Sequence, residues 1–215
     1  FGPSGLRELV EQNARLSGVI FPYTLEIVEV QTEVVERVFE NKLVEVSTIP
    51  LAHRAPCVGW LFREKPKLLN IRKEMIDAYQ IPVGMIPGIK AGAGLHLPDG
   101  RFVPNSELTK PPRPAKAFAF CSDTAPSEAV VDAVRGVDLL YHEATFTEEH
   151  TEEARLSFHS TAAQAAGVAR RARVKQLLLG HFSGRYTDLD RHLAEARGVF
   201  SATVAAEEGK VYSVG

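Results

Sequence analysis

Several short runs of this 215-residue chain carry side chains that can hold a metal ion or move a proton, and they stand where an apolar stretch gives way to a polar one or where a helix opens. In the second half they are Ser122-Asp123-Thr124, His142-Glu143-Ala144-Thr145, Phe158-His159-Ser160-Thr161, and Gly180-His181 followed by Ser183-Gly184-Arg185-Tyr186. In the first half, Pro50-Leu51-Ala52-His53 precedes Cys57-Val58-Gly59. A carboxylate or imidazole at a strand-to-loop junction is held still by the sheet while water and substrate approach. Imidazole and carboxylate donors in such a frame, with positions left open for water, make a hydrolytic metal centre.

Each residue taken singly also has a plainer use. Asp123 can bridge two cations, or it can cap a helix starting near Ser127. A lone histidine at a strand end is more often structural than a ligand, and this applies to His181 and to His53. The loop of His53, pinned by Pro50 and Pro56, at least has a fixed backbone. Glu143 next to His159 forms either a structural pair or a device that sets the imidazole tautomer and suits it to donate a proton to a leaving oxygen. His159 precedes Ser160 and Thr161, either of which can cap the Ala-rich helix that follows. Arg185 and Tyr186 suit phosphate, or are ordinary loop residues.

The elements that must position these groups follow from periodicity. Leu6, Leu9, Val10 and Asn13 at helical spacing predict a first helix that Gly18 stops. β-branched and apolar residues predict strands over residues 25–30, 34–39, 43–49 and 57–63. A short helix is expected over 72–79, inside a Gly- and Pro-rich stretch from 65 to 114 that shows little core-forming pattern and reads as a protruding arm. From residue 117 strands and helices alternate: strand 117–121, helix 127–134, strand 137–141, helix 161–171, strand 174–179, helix 189–200. Strands followed by βα alternation predict an α/β domain of sheets covered by helices. Its parts are residues 1–64 and 115–215, with the arm over 65–114 between them.

Composition narrows the function. A formal charge of -2 argues against holding nucleic acid by bulk electrostatics, so any RNA contact has to be local. Cys57 and Cys121 lie far apart with no paired spacing, which suggests neither a disulfide framework nor a cysteine zinc site and fits a cytoplasmic setting. No apolar run approaches the ~20 residues of a membrane span.

In order and spacing, these runs resemble ribonuclease Z, the tRNA 3′-end processing endonucleases of the metallo-β-lactamase superfamily. The resemblance covers essentially the whole chain. It implies an αβ/βα sandwich with two zinc ions, in which His53, Asp123 (bridging) and His181 are ligands. His159 and Glu143 would serve cleavage. Ser183, Arg185, Tyr186 and Thr161 would contact the substrate, as would Lys90 from the arm. The substrate would be precursor tRNA, cut after the discriminator base by a homodimer in which one subunit's arm grips the tRNA that the other cuts; neither DNA nor a membrane is an expected partner.

Two features depart from the family pattern. Where the arm normally has a Gly-Pro step, Pro82-Val83-Gly84-Met85 places methionine after the glycine, although Lys90-Ala91-Gly92 is retained. None of the seven histidines forms a His-x-His pair, so the family's His-x-His-x-Asp-His ligands are absent from this sequence. The chain is therefore expected to be the C-terminal portion of such an enzyme, inert and poorly soluble by itself, with apolar sheet surface uncovered.

Overall fold

The computed structural model describes residues 1–215. In chain order, α1 (Leu6–Ser17) is followed by β1 (Arg37–Glu40), β2 (Val44–Pro50) and β3 (Val58–Glu64). Next come β4 (Asn70–Ile71), α2 (Lys73–Ala78), α3 (Ile86–Lys90), β5 (Leu95–His96), β6 (Phe102–Val103), α4 (Asn105–Leu108) and β7 (Thr109–Lys110). The last stretch holds β8 (Ala117–Cys121), α5 (Glu128–Ala133), β9 (Leu139–Glu143), α6 (Thr151–Ser157), α7 (Ala162–Ala172), β10 (Gln176–Gly180), α8 (Asp190–Val199) and β11 (Thr203–Ala205). No helix is long and apolar enough to cross a membrane.

The chain divides into two compact units, one made of Phe1–Glu64 with Lys116–Gly215 and the other of Lys65–Ala115. In the first, seven strands form one sheet in the order β1-β2-β3-β8-β9-β10-β11. The pairs from β1 to β8 are antiparallel and those from β8 to β11 parallel. Two successive antiparallel steps make β2 run the same way as β8, so β2, β8, β9 and β10 all end at one edge of the sheet. That edge is where open α/β sheets bind ligands, because the chain leaves the strands there as loops.

Period-2 alternation sorts the side chains of these strands between two faces. Ile49, Leu61, Ala119, Cys121, Leu140, Leu177 and Leu179 join Val130, Val131, Ala165, Ala169 and Ala196 of the helices in one buried core. The small residues of α7 let it lie close on the sheet. On the opposite face, the register aligns Trp60 with Phe120 and Phe120 with Tyr141. Phe120 and Tyr141 stack at 4.5 Å between centroids, and Phe62 and Phe118 at 5.9 Å. This second face stays half-buried, with Phe62 and Phe39 exposed.

The other unit has a small core of its own, Ile81, Ile89, Leu95, Val103 and Leu108, with Ile71, Met75, Ile76, Tyr79 and Ile86 packed on it. The sequence hides this core because its members come from short elements, each contributing one or two residues, and no run is long enough to show a period.

Differences from the sequence expectations have local causes. Residues 25–30 form no strand: Ile27 and Val30 are buried, but the backbone pairs only through an isolated bridge between Gly2 and Glu29. The strand expected from residue 34 begins at Arg37, since Thr48 occupies the preceding backbone by donating from its hydroxyl to the Val34 carbonyl and accepting from Glu36 N–H. The strand expected over 137–141 is shifted to Leu139–Glu143, because Val137 N–H closes the turn after α5 on the Val134 carbonyl. Helix α6 and strand β11 have no counterpart in the sequence reading.

Candidate metal and catalytic centre

The four aligned strand ends deliver the residues singled out by sequence. His53 follows β2 by three residues, Asp123 follows β8 by two, Glu143 is the last residue of β9, and His181 comes directly after β10. Short backbone bridges lace the loops together. Ala125 N–H donates to Ala52 O at 2.8 Å and Ala52 N–H to Thr124 Oγ1 at 3.0 Å, which draws the His53 loop against the Asp123 loop. A second bridge pairs Phe146 with Thr161 and brings the His159 run against the end of β9.

The imidazoles converge. His159 lies 5.2 Å from His53 and 5.3 Å from His181 between ring centroids, and His181 Nε2 is 3.2 Å from Asp123 Oδ1. Donor atoms of His53, Asp123 and His159 all fall within 4.8 Å of one another, as do those of Glu143, His159 and His181. Asp123 and His181 keep 46% and 41% of their side-chain surface exposed, which leaves the group open on one side. Asp123, His181 and Phe158, the residue before His159, have positive φ angles of 58°, 55° and 60°. Left-handed backbone at non-glycine residues is uncommon and clusters at functional sites, where the surroundings over-determine it.

Glu143 occupies the floor and is fully buried. Its Oε1 accepts from Thr124 N–H at 2.7 Å and from His159 Nδ1–H at 2.6 Å. Its Oε2 accepts from Thr145 Oγ1–H at 2.7 Å and Ser160 N–H at 3.0 Å. With both oxygens so engaged, the carboxylate has little capacity left for a cation. Its effect is to aim the ring of His159, which is 17% exposed, and to leave Nε2 as the free nitrogen. His53 is tied in the same manner, through Nδ1 to the Phe158 carbonyl at 3.2 Å.

The donor set fits a zinc-type ion. Imidazole nitrogen and carboxylate oxygen, converging, held from behind and open to solvent on one side, are the ligands such an ion takes at catalytic sites. The helix-capping alternative for Asp123 does not hold, because Ser127 caps α5 itself, accepting from Val130 N–H. Cys57 adjoins the site, donating towards the Asp123 carbonyl at 3.6 Å, but burial and the Asp123 carboxylate push its thiol up and so disfavour the thiolate that would ligate.

Glycines at the strand ends permit this approach. A Cβ on Gly180 would fall 2.1 Å from the Tyr141 hydroxyl, and one on Gly59 would fall 2.6 Å from the Phe120 carbonyl. Burial pushes the Tyr141 hydroxyl up, while its hydrogen bond to the His181 backbone acts in the opposite sense.

Beyond His181, the Arg185 guanidinium lies over the Phe146 ring at 5.0 Å. The Tyr186 hydroxyl accepts from Thr147 N–H at 3.1 Å, and Ser183 N–H donates to the Thr145 carbonyl. This loop therefore borders the histidine cluster. Thr161 is placed differently: it is 1% exposed, and its hydroxyl caps α7 in a capping box with Gln164. Lys90 belongs to the Lys65–Ala115 unit, at the end of α3. The residues missed by sequence reasoning are the hydroxyls of Thr124, Thr145 and Ser160. They sit inside the motifs already noticed, and only their distances reveal what they do.

No family model matches the chain. Ribonuclease Z of Porphyromonas gingivalis strain W83 is 44% identical over 207 residues, which is 96% of this chain and 68% of that protein. Ribonuclease Z of Bacteroides thetaiotaomicron is 41% identical over 212 residues, 99% of this chain and 67% of that protein. The chain thus spans about two thirds of the length of these curated relatives. Among solved structures, the short form of human tRNase Z superposes with a TM-score of 0.61 at 20% identity, covering 99% of this chain and 66% of that one. At that identity the likeness shows the fold, which is of the metallo-β-lactamase type.

Proposed function

The chain belongs to the ribonuclease Z family, and on that basis we propose that it serves a zinc-dependent endoribonuclease, cytoplasmic and homodimeric, that removes 3′ trailers from precursor tRNA. The observation that carries this reading is the convergence of His53, Asp123, His159 and His181 at the common edge of four strands, with Glu143 beneath them. His53 and His181 would each hold one zinc ion and Asp123 would hold both. Zinc, when bound, supplies positive charge that activates water for attack and stabilises charge on the scissile phosphate. The residues of the chain do the rest. Glu143 holds Nδ1–H of His159, so that in the doubly protonated ring Nε2–H is the proton left to pass to the departing ribose oxygen, after which the ring is neutral with Nδ1–H kept on Glu143. Arg185, steadied over Phe146, and Tyr186 and Ser183 present donors for phosphate.

Three side chains shared between two ions give each ion two protein ligands, short of the three or four that hold zinc elsewhere, so binding by these alone is expected to be weak. The assay therefore uses a chain of the relatives' length, with residues 1–215 joined to the stretch of the Porphyromonas gingivalis protein that they do not match. Cleavage of a trailer-bearing precursor tRNA after the discriminator base, lost on chelation and regained with zinc, is the expected result. Unchanged cleavage in chelator would rule out the metal reading.

The Lys65–Ala115 unit we assign to tRNA capture, by phosphate contacts from Lys65, Lys67, Arg72, Lys73 and Lys90. Within the unit, Arg72 Nε–H already donates to the Thr109 carbonyl at 3.1 Å, which engages one donor of its guanidinium fork. Removing the unit is expected to weaken tRNA binding and flatten its dependence on salt, while turnover of a small phosphodiester stays largely intact. A hydrolase of small diesters would keep the same affinity for tRNA with and without the unit.

A further inference from the structure

Thr145, 7% exposed behind His181, is assigned no part in the reading above. Its Oγ1 lies 2.9 Å from His181 Nδ1, 2.7 Å from Glu143 Oε2 and 3.0 Å from the His181 carbonyl. A hydroxyl has one proton to give and two lone pairs to receive with. The Glu143 oxygen and the His181 carbonyl can only accept, so the threonine proton goes to one of them, and at 2.7 Å Glu143 is the closer. Were that proton directed at His181 Nδ1 instead, Oγ1 would face two acceptor oxygens at hydrogen-bond distance with no proton between. His181 Nδ1 must therefore be the donor to Thr145. The neutral ring then has a single form, protonated on Nδ1, with the lone pair of Nε2 turned toward Asp123 Oδ1 at 3.2 Å. Two electron pairs facing one another at that distance are relieved by a cation.

We propose that Thr145 is a positioning residue that sets the tautomer of His181, offering its Nε2 to a divalent cation, and that it does so through Glu143, the same carboxylate that sets the tautomer of His159. The cation rests on the metal-site reading above, whereas the tautomer does not. One buried carboxylate thus orders two imidazoles, one directly at 2.6 Å and one through the threonine hydroxyl. Hydrogen bonds behind a metal-binding histidine fix its ring in this way and typically change metal affinity by about 10- to 100-fold when removed.

The test is nitrogen-15 NMR of the histidine rings in the metal-stripped chain of the relatives' length, together with its zinc affinity by competition. Wild type is expected to show His181 as the Nδ1–H tautomer. Thr145→Val, close in shape but without the hydroxyl, should shift the ring toward the Nε2–H form, which can donate to Asp123, and should lower zinc affinity about 10- to 100-fold. Thr145→Ser should preserve both readouts, which a purely space-filling role for the threonine methyl would not predict. If Thr145→Val fails to fold, the wild-type and Thr145→Ser spectra decide. A wild-type ring in the Nε2–H form, or a folded Thr145→Val with unchanged tautomer and affinity, would overturn the proposal. An Nδ1–H ring in a wild-type protein that takes no zinc would sink the metal reading and leave the tautomer assignment supported.

Discussion

In the chain of the relatives' length, replacing Asp123 by alanine is expected to remove zinc and precursor-tRNA cleavage together. In the proposed site the carboxylate is shared between the ions and screens their repulsion, so neither ion keeps its place without it. The backbone sets a trap for this experiment, because Asp123 has a φ of 58°, a conformation that aspartate and asparagine tolerate better than alanine. Asp123→Asn separates the two effects. It suits the left-handed backbone and keeps the side-chain shape but not the charge, so it should melt near wild type while losing metal as the alanine variant does. Elemental analysis and a melting curve on both variants supply the check. A metal-loaded, active Asp123→Ala protein would show that the ions are held by other groups.

His159→Ala is expected to lower the rate of the chemical step by roughly 100-fold or more, the range of a lost general acid, with zinc content and precursor affinity near wild type. At saturating zinc Glu143→Ala should be as slow, since His159 loses the acceptor at 2.6 Å that aims it. The double variant should be little slower than either single one, because the pair acts as a unit. Stability tells the two residues apart. Glu143 also accepts from the buried N–H groups of Thr124 and Ser160. Each donor left unpaired costs about 1–3 kcal/mol, so Glu143→Ala should melt well below His159→Ala. Single-turnover rates and thermal melts test this together. Losses in rate that simply add would separate the two side chains in function.

The sequence by itself determined the chemical alphabet of the site and most of the βα frame. Asp123, Glu143, His181 and His53 stand out because polar, metal-competent side chains follow apolar strands, His159 because it precedes the cap of an Ala-rich helix, and a strand of four or five apolar residues such as 117–121 is set by local pattern alone. Pattern also fixed the first helix and its stop at Gly18, which takes the left-handed conformation that glycine adopts without penalty. What pattern does not carry is pairing. That β2 runs parallel to β8, β9 and β10, so that four loops meet at one edge, follows from hydrogen bonds between strands far apart in the chain. That Ser127 and not Asp123 caps α5 is instead a local matter, decided by the contact with Val130 three residues on. Thr161 is engaged locally, by a capping box with Gln164 three residues on, which realises one of the two caps the sequence offered for α7. The core of the Lys65–Ala115 unit and the link from Thr145 to His181 are tertiary as well. Their partners are scattered or 36 residues apart, and a hydroxyl's direction is decided by which acceptors surround it, which no run of neighbouring residues records.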